Sequence, residues 1–304
     1  MISPSTPARA EGRTPGRPRL DPAHLLLLLP PILFLTIFMV LPMLGLLRAS
    51  FSAGSGPLDV HGFSFQHYSR LFLDGYYLGV IGETLAIGLG SAVISLVVGF
   101  PVGYSLARLD PKRRRWRLII VILPLTLSLV VVVFGWLVVL GRNGLFNNVM
   151  ITLGLVETPQ RLLFNRTAVV VVLVQQFLPF MILSIMSVVT QINPVLEQAS
   201  ANLRANRFKT FRRIVIPLAM PGILAGFTLV FILSVSAFIT PRMIGGARVQ
   251  MLGSLIYEQV ITLLAWPFGS AMSFTLLTIT LLVTVGVQML IALRLGTREP
   301  RHAG

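Results

Sequence analysis

The sequence predicts an all-α membrane protein with six transmembrane helices and both termini cytoplasmic, and three observations predict it. Of the 304 residues, 55% are hydrophobic and 12% charged, and the mean hydropathy is +0.84, far outside the soluble range. Six charge-free runs are long enough to cross about 30 Å of hydrocarbon at about 1.5 Å per helical residue. The 25 Lys and Arg residues alternate between heavy and light clusters from one connection to the next, as the positive-inside rule requires.

The runs are Leu25 to Leu47, Thr84 to Ala107, Leu118 to Gly141, Thr167 to Leu196, Ile214 to Pro241 and Gln259 to Leu293, with the spans themselves expected inside these limits. The first is preceded by a Pro- and Arg-rich stretch over residues 1–22 that is expected to be disordered. That run is too long for the apolar region of a signal peptide, and no clear small-residue cleavage site follows it, so it reads as a span. A second short tail is expected at 297–304. The two termini and the loops at Arg108 to Arg117 and Gln191 to Arg213 hold 18 of the 25 basic residues, which puts them in the cytoplasm. Val249 to Leu264 reads as an extracytoplasmic helix before the last span, with a seventh crossing there as the competing reading.

Net charge is +15 and cysteine is absent. In a soluble chain that charge would suggest nucleic acid, but here the basic residues lie between spans, so no nucleic-acid partner is expected. Without cysteine there are no disulfides, thiolate nucleophiles or Cys-ligated metals. His61 and His67 have no third ligand nearby, so no metal site is expected, and no nucleophile motif points to a catalytic residue. No G-x-x-x-x-G-K-[ST] occurs, so a nucleotide phosphate has no P-loop here. Gly99 with Gly103 and Gly222 with Gly226 are four apart, the spacing that lets apolar helices approach closely. Pro101, Pro124, Pro179 and Pro221 lie in or near spans, where kinks are tolerated. Trp136 and Trp266 read as interfacial anchors. Lys112 to Arg115 reads as a topology anchor that meets anionic lipid or a partner surface.

The loop from Gln198 to Gly222 carries five basic residues and no acid. Leu196, Ala199 and Leu203 step by three and four, as do Phe208, Phe211 and Val215, whereas Leu203 to Phe208 steps by five. At about 100° per residue that step rotates the second stripe by roughly 140°, so the pattern fits two short helices with a turn between them. A plain basic loop that enforces topology fits equally well.

LEQASANLRANRFKTFRRIVIPLAMPG resembles the EAA loop of membrane subunits of binding-protein-dependent ABC importers. Aligned from Pro217 and Pro221-Gly222, Gln198 stands at the family's Glu, Ala199 and Ser200 at its two Ala, and Arg204 at its Gly. The resemblance implies a type I ABC importer permease fold over residues 23–296, with a coupling loop at about 194–217 that seats in an ATPase subunit. It assigns Glu197, Gln198, Ala199, Ser200, Leu203, Arg204, Phe208, Phe211 and Pro217 to that loop. Two departures matter: Gln198 lacks the family's carboxylate, for which the adjacent Glu197 is a substitute after a small rotation, and a left-handed turn at Arg204 would be strained, so either the turn uses another residue such as Asn206 or coupling is tuned differently.

LGRNGLFNNVMITLGL, IGGARVQM and WPFG are similar to the spermidine/putrescine branch. That branch implies a permease subunit in the bacterial inner membrane working with an ABC ATPase dimer, a second permease subunit in a heterodimer, a periplasmic solute-binding protein and the lipid bilayer. ATP and Mg would be bound by the ATPase, and this chain would bind no cofactor. A polyamine needs carboxylates or aromatic faces in place of water around its ammonium groups, which makes Glu83, Tyr257 and Glu258 the candidate solute-path residues. Other solutes of the same class (an opine, amino acid derivative, metal or anion) remain alternatives. A secondary transporter would need charged or unwound mid-membrane segments and inverted repeats, and a lipid enzyme a polar catalytic cluster. The sequence offers none of these.

Overall fold

The computed structural model describes residues 22–54 and 61–296. Residues 1–21 and 297–304, where the tails are expected, lie outside the described residues. The chain divides into two units, residues 1–46 and 47–304. The first holds most of α1 (Pro22–Ser50), which stays helical through Pro30, Pro31 and Pro42 and whose Leu29–Ser50 stretch has a mean hydropathy of 2.2.

All the regular secondary structure among the described residues of the second unit is helical. It contains α2 (Gln66–Leu73), α3 (Gly75–Ala107), α4 (Pro111–Ile122), α5 (Leu129–Leu140), α6 (Leu145–Thr152) and α7 (Arg166–Gln191). There follow α8 (Val195–Asn202), α9 (Arg207–Thr210), α10 (Ile216–Val235), α11 (Leu252–Tyr257) and α12 (Trp266–Gly296). Six helical stretches among the described residues are long and apolar enough to cross a bilayer.

The core is the mutual packing of α3, α7 and α10, with Ile87, Met181, Ile185 and Phe231 buried in it. Both glycine pairs singled out in the sequence face α7. A Cβ on Gly99 would come within 2.9 Å of Met181 Cγ, and one on Gly103 within 2.9 Å of the Ile182 carbonyl oxygen. From the other side, a Cβ on Gly222 would meet the Ser184 carbonyl at 2.8 Å and one on Gly226 the Met181 Sδ at 2.8 Å. The helix from Met181 to Ile185 is therefore gripped on two faces by backbones that approach closely because no side chain intervenes.

Four of the six runs are not helical from end to end. The run Leu118 to Gly141 is not one helix. α4 gives way to a 3-10 turn at Leu123–Thr126 that contains Pro124, and α5 starts only after the extended Ser128; the missing Pro amide and the restriction on the residue before it break the helix. α7 stops at Gln191, inside the run that reaches Leu196, because Asn193-Pro194 cannot continue it. α10 ends at Val235, and the last span starts at Trp266, so Pro241 and Gln259 lie in the connection rather than in spans.

That connection folds as π and 3-10 turns at Pro241–Gly245 and Gly246–Arg248, then α11 and a π turn at Glu258–Thr262. The expected short helix is present. At about 1.5 Å per residue, Leu252 to Thr262 is too short for a seventh crossing. Instead Leu252 to Leu255 is buried, and the Leu252 amide donates to Thr84 Oγ1 at 2.9 Å, pinning α11 to α3. Nearby, α2 contributes His67. Its burial beside Phe268 holds the imidazole below its ordinary pKa.

Candidate functional site

The loop after α7 is a helical hairpin. Ile192 turns extended, the Asn193 side chain accepts the Val195 amide at 3.0 Å, and α8 begins at Val195. At its far end the chain reverses through Arg204, whose φ is +54°. The Arg204 amide donates to the Ala201 carbonyl at 2.9 Å and the Ala205 amide to the Ser200 carbonyl at 3.2 Å. Arg204 itself takes the left-handed backbone that glycine would adopt without strain. Asn206, the alternative turn residue, instead caps α9 by accepting the Phe208 amide at 3.4 Å. Ser200 and Thr210 hydroxyls bond at 2.8 Å and close the hairpin.

The second of the two expected short helices is not a separate element. α9 runs through a π turn at Phe211–Val215 directly into α10, so its inner face continues the core-facing side of that helix. Phe211 stands edge-on to Phe100 at 5.1 Å and to Tyr104 at 5.7 Å, and Val215 is buried. The predicted stripe Phe208, Phe211, Val215 therefore splits, leaving only Phe208 outside. Ser200 is also turned inward, and Pro217 is half-buried in the first turn of α10.

Leu196, Ala199, Leu203 and Phe208 are exposed, Leu203 at 84% and Phe208 at 69%. Gln198 is exposed beside them. Arg204, Arg207, Lys209, Arg212 and Arg213 are all exposed around this patch. The patch is thus an apolar surface ringed by cations.

Glu197 points the other way. The Tyr104 hydroxyl donates to its Oε2 at 2.6 Å, and Arg108 Nη2 donates to its Oε1. The same guanidinium donates through Nη1 to the Ile192 carbonyl at 3.0 Å. Glu197 thus cannot fill the place of the carboxylate missing at Gln198 without leaving two partners on α3. Sequence reading missed Tyr104 and Arg108. They lie about ninety residues before Glu197, and no local pattern links them.

A family model described as "Binding-protein-dependent transport system inner membrane component" matches residues 99–294, a stretch that includes the whole hairpin and the α3 residues that hold it. The chain belongs to this family. It is a multi-pass inner-membrane protein, and its permease fold is that of type I ABC importers. The chain is 33% identical over 259 residues to the spermidine/putrescine transport system permease protein PotB of Escherichia coli strain K12, covering 85% of this chain and 92% of that protein. It is 33% identical over 245 residues to PotB of Haemophilus influenzae, covering 80% and 85%. Among solved structures, a subunit of a bacterial ABC transporter involved in the import of the acidic polysaccharide alginate superposes with a TM-score of 0.71 at 21% identity, covering 89% of this chain and 95% of that one. At that identity the likeness speaks for the fold alone.

In this permease the candidate solute-path residues gather at the end of the bundle opposite the hairpin, but they are not alike. Glu83 is held by Arg166 of α7, whose Nε donates to Oε1 at 2.6 Å and whose Nη2 donates to Oε2. Tyr257 stacks on Phe238 at 5.1 Å, with the Arg242 guanidinium 5.2 Å from its ring centroid, so neighbours of this chain already occupy the ring. Glu258 is half-buried and forms no ion pair among the described residues.

Between the two ends, Gln175 and Gln176 put uncharged polar groups inside α7. Trp136 Nε1 donates to Gln175 Oε1 at 3.0 Å, and Thr240 Oγ1 donates to Gln176 Oε1 at 3.1 Å. Trp136, read as an interfacial anchor, is thus satisfied by another helix. Trp266, 40% exposed, opens α12. A cavity of about 490 Å³ lies beside Gln175 and Trp136, lined otherwise by apolar residues such as Leu127 and Val131. The signal for it was QQF in an apolar run, passed over because neither glutamine is charged.

Proposed function

We propose that the chain is the permease subunit of a polyamine ABC importer. In this reading it forms half of the solute path with a second, homologous permease, receives solute from a periplasmic binding protein, and is driven by a separate ABC ATPase dimer that binds the ATP and Mg. The observation that carries the solute is the 33% identity to PotB across 85% of the chain. Coupling is supported by the hairpin, whose exposed Leu196, Ala199, Leu203 and Phe208 offer an apolar centre for a protein cleft and whose five cations form its rim. The basic loops at Arg108 to Arg117 and Gln191 to Arg213 then face the cytoplasm, and Glu83, Tyr257 and Glu258 face the binding protein.

Glu258 is the path carboxylate this reading favours, since Glu83 already neutralises a guanidinium. Gln175 and Gln176 continue the path with uncharged hydrogen-bonding groups, which suits passage better than a deep charge would.

The test is uptake of labelled spermidine and putrescine by vesicles holding the assembled importer, together with co-purification of the ATPase. Ala199→Asp puts an unpaired charge in the centre of the docking patch, at a cost of several kcal/mol. It is expected to insert normally, lose the ATPase and abolish uptake. Lys209→Gln, at the rim, is expected to keep both. ATPase retention by Ala199→Asp would defeat the docking assignment, and ATP-driven uptake of anions without polyamines would defeat the solute assignment.

A further inference from the structure

The cluster that the proposed function leaves unused is Tyr104, Arg108 and Glu197. Arg108 is the C-terminal cap of α3, and its guanidinium reaches two other elements at once. One arm meets the carbonyl of Ile192, the buried residue that caps α7, at 3.0 Å, and the other meets the Glu197 carboxylate in the first turn of α8. Tyr104, one turn earlier on α3, completes Glu197 from the other side at 2.6 Å. The pair is largely shielded, with side-chain exposures of 20% for Arg108 and 21% for Glu197, and Arg108 Nε is buried without a partner. A cation at a helix C-terminus and a charge-assisted bond to a shielded carboxylate are both stronger than their surface equivalents.

We propose that Arg108 is a positioning residue for transport, stapling α8 to the ends of α3 and α7 so that these three elements move as one lever. The connection from α7 to α8 is only Ile192 to Pro194, and α8 otherwise packs on α9 and the π turn after it, with the Ser200–Thr210 bond between them. Without the staple, a displacement of α8 is taken up by rotation about Asn193 and Pro194 before it reaches α3, the helix that also carries Glu83 and Thr84. With it, α8 cannot move without dragging two core helices. The proposal rests on the reading that α8 docks the ATPase.

The experiment uses the assembled importer in lipid nanodiscs and vesicles. Because the chain has no cysteine, spin labels at Val102→Cys on α3 and Asn202→Cys on α8 report their separation directly, whether or not the ATPase is bound. Arg108→Gln is expected to broaden that distance distribution, to retain the ATPase and its basal ATP hydrolysis, and to lower spermidine transported per ATP at least about fivefold, as loss of one partner of a shielded pair implies. Glu197→Gln is expected to broaden the distance distribution and lower the spermidine-to-ATP ratio in the same way, and the double variant Arg108→Glu with Glu197→Arg to recover coupling above either of its single variants. An unchanged distance distribution, an unchanged spermidine-to-ATP ratio, or a double variant no better than its parents would each overturn the lever. Failure of the docking reading is separate: it appears as ATPase retention by Ala199→Asp, with the Arg108→Gln broadening still in view. Loss of the ATPase from Arg108→Gln to the same degree as from Ala199→Asp would reduce the cluster to a fold element of α8 and also overturn the proposal.

Discussion

Glu83 on α3 and Arg166 on α7 form a two-point ion pair in which every oxygen of the carboxylate has a guanidinium donor. An ammonium arriving at Glu83 would have to displace that guanidinium, whereas Glu258 has no ion-paired cation among the described residues. Arg166 is 61% exposed, so the pair contributes under about 1 kcal/mol to stability. Glu83→Gln is therefore expected to leave the KM for spermidine within about twofold of the parent, and Glu258→Gln to raise it by about tenfold, the loss of one charge-assisted contact. Initial-rate uptake over a range of spermidine concentrations checks both. A large KM change confined to Glu83→Gln would return the path to that residue.

The close approach of α3 to α7 gives a packing prediction. A methyl on Gly103 would press on the Ile182 carbonyl, a backbone atom that cannot swing away, while one on Gly90 of the same helix meets nothing within 4 Å. Gly103→Ala is expected to destabilise the subunit by about 1–3 kcal/mol through overpacking. Gly90→Ala should be neutral or slightly stabilising, given alanine's better helix propensity. Thermal unfolding of the two variants in the same detergent separates them.

What could be read from the sequence divides along a physical line. The six crossings were legible because hydrocarbon demands long uncharged runs, and the glycine pairs because backbone approach demands small residues at helical spacing. Both signals are local. The break at Pro124 was visible as a residue but not as a break, since proline inside a span is tolerated when neighbours satisfy the freed carbonyls. The hairpin was legible as two stripes, yet the fusion of α9 with α10 was not: a π turn leaves no gap in the apolar pattern. The direction of Glu197 depends on Arg108 and Tyr104, and the pairing of Glu83 on Arg166, 83 residues away. Such long-range partners are set by the packing of α3 on α7 and leave no spacing to read.

Topology follows from the proposed cytoplasmic placement of the basic loops. Reporter fusions after Arg117 and Arg213 are expected to read cytoplasmic, and those after Glu157 and Arg248 extracytoplasmic. The same fusions test α11. Because Leu252 to Thr262 does not cross, a fusion after Arg294 should read as the fusion after Arg213 does. An extracytoplasmic signal there would require an additional crossing and a different register for α12.

The turn of the hairpin supplies the last prediction. Arg204 holds φ at +54°, a conformation that costs a side-chain-bearing residue roughly 1–2 kcal/mol and glycine almost nothing. Replacing it by glycine removes that strain but raises the entropy of the unfolded loop by a comparable amount, so the two effects nearly cancel. The side chain is exposed and forms no ion pair among the described residues, so no contact within the described subunit is lost. Arg204→Gly is therefore expected to leave the unfolding temperature unchanged, and to leave ATPase retention and spermidine uptake at parental levels or above. The informative failure is specific. If Arg204→Gly keeps its fold but loses the ATPase, while Lys209→Gln keeps it, then the guanidinium itself is the contact that justifies the strained turn, and its partner is an acid on the ATPase. Arg204→Lys tests that outcome, because it preserves the charge and the strain but removes the two-point bonding only a guanidinium can make.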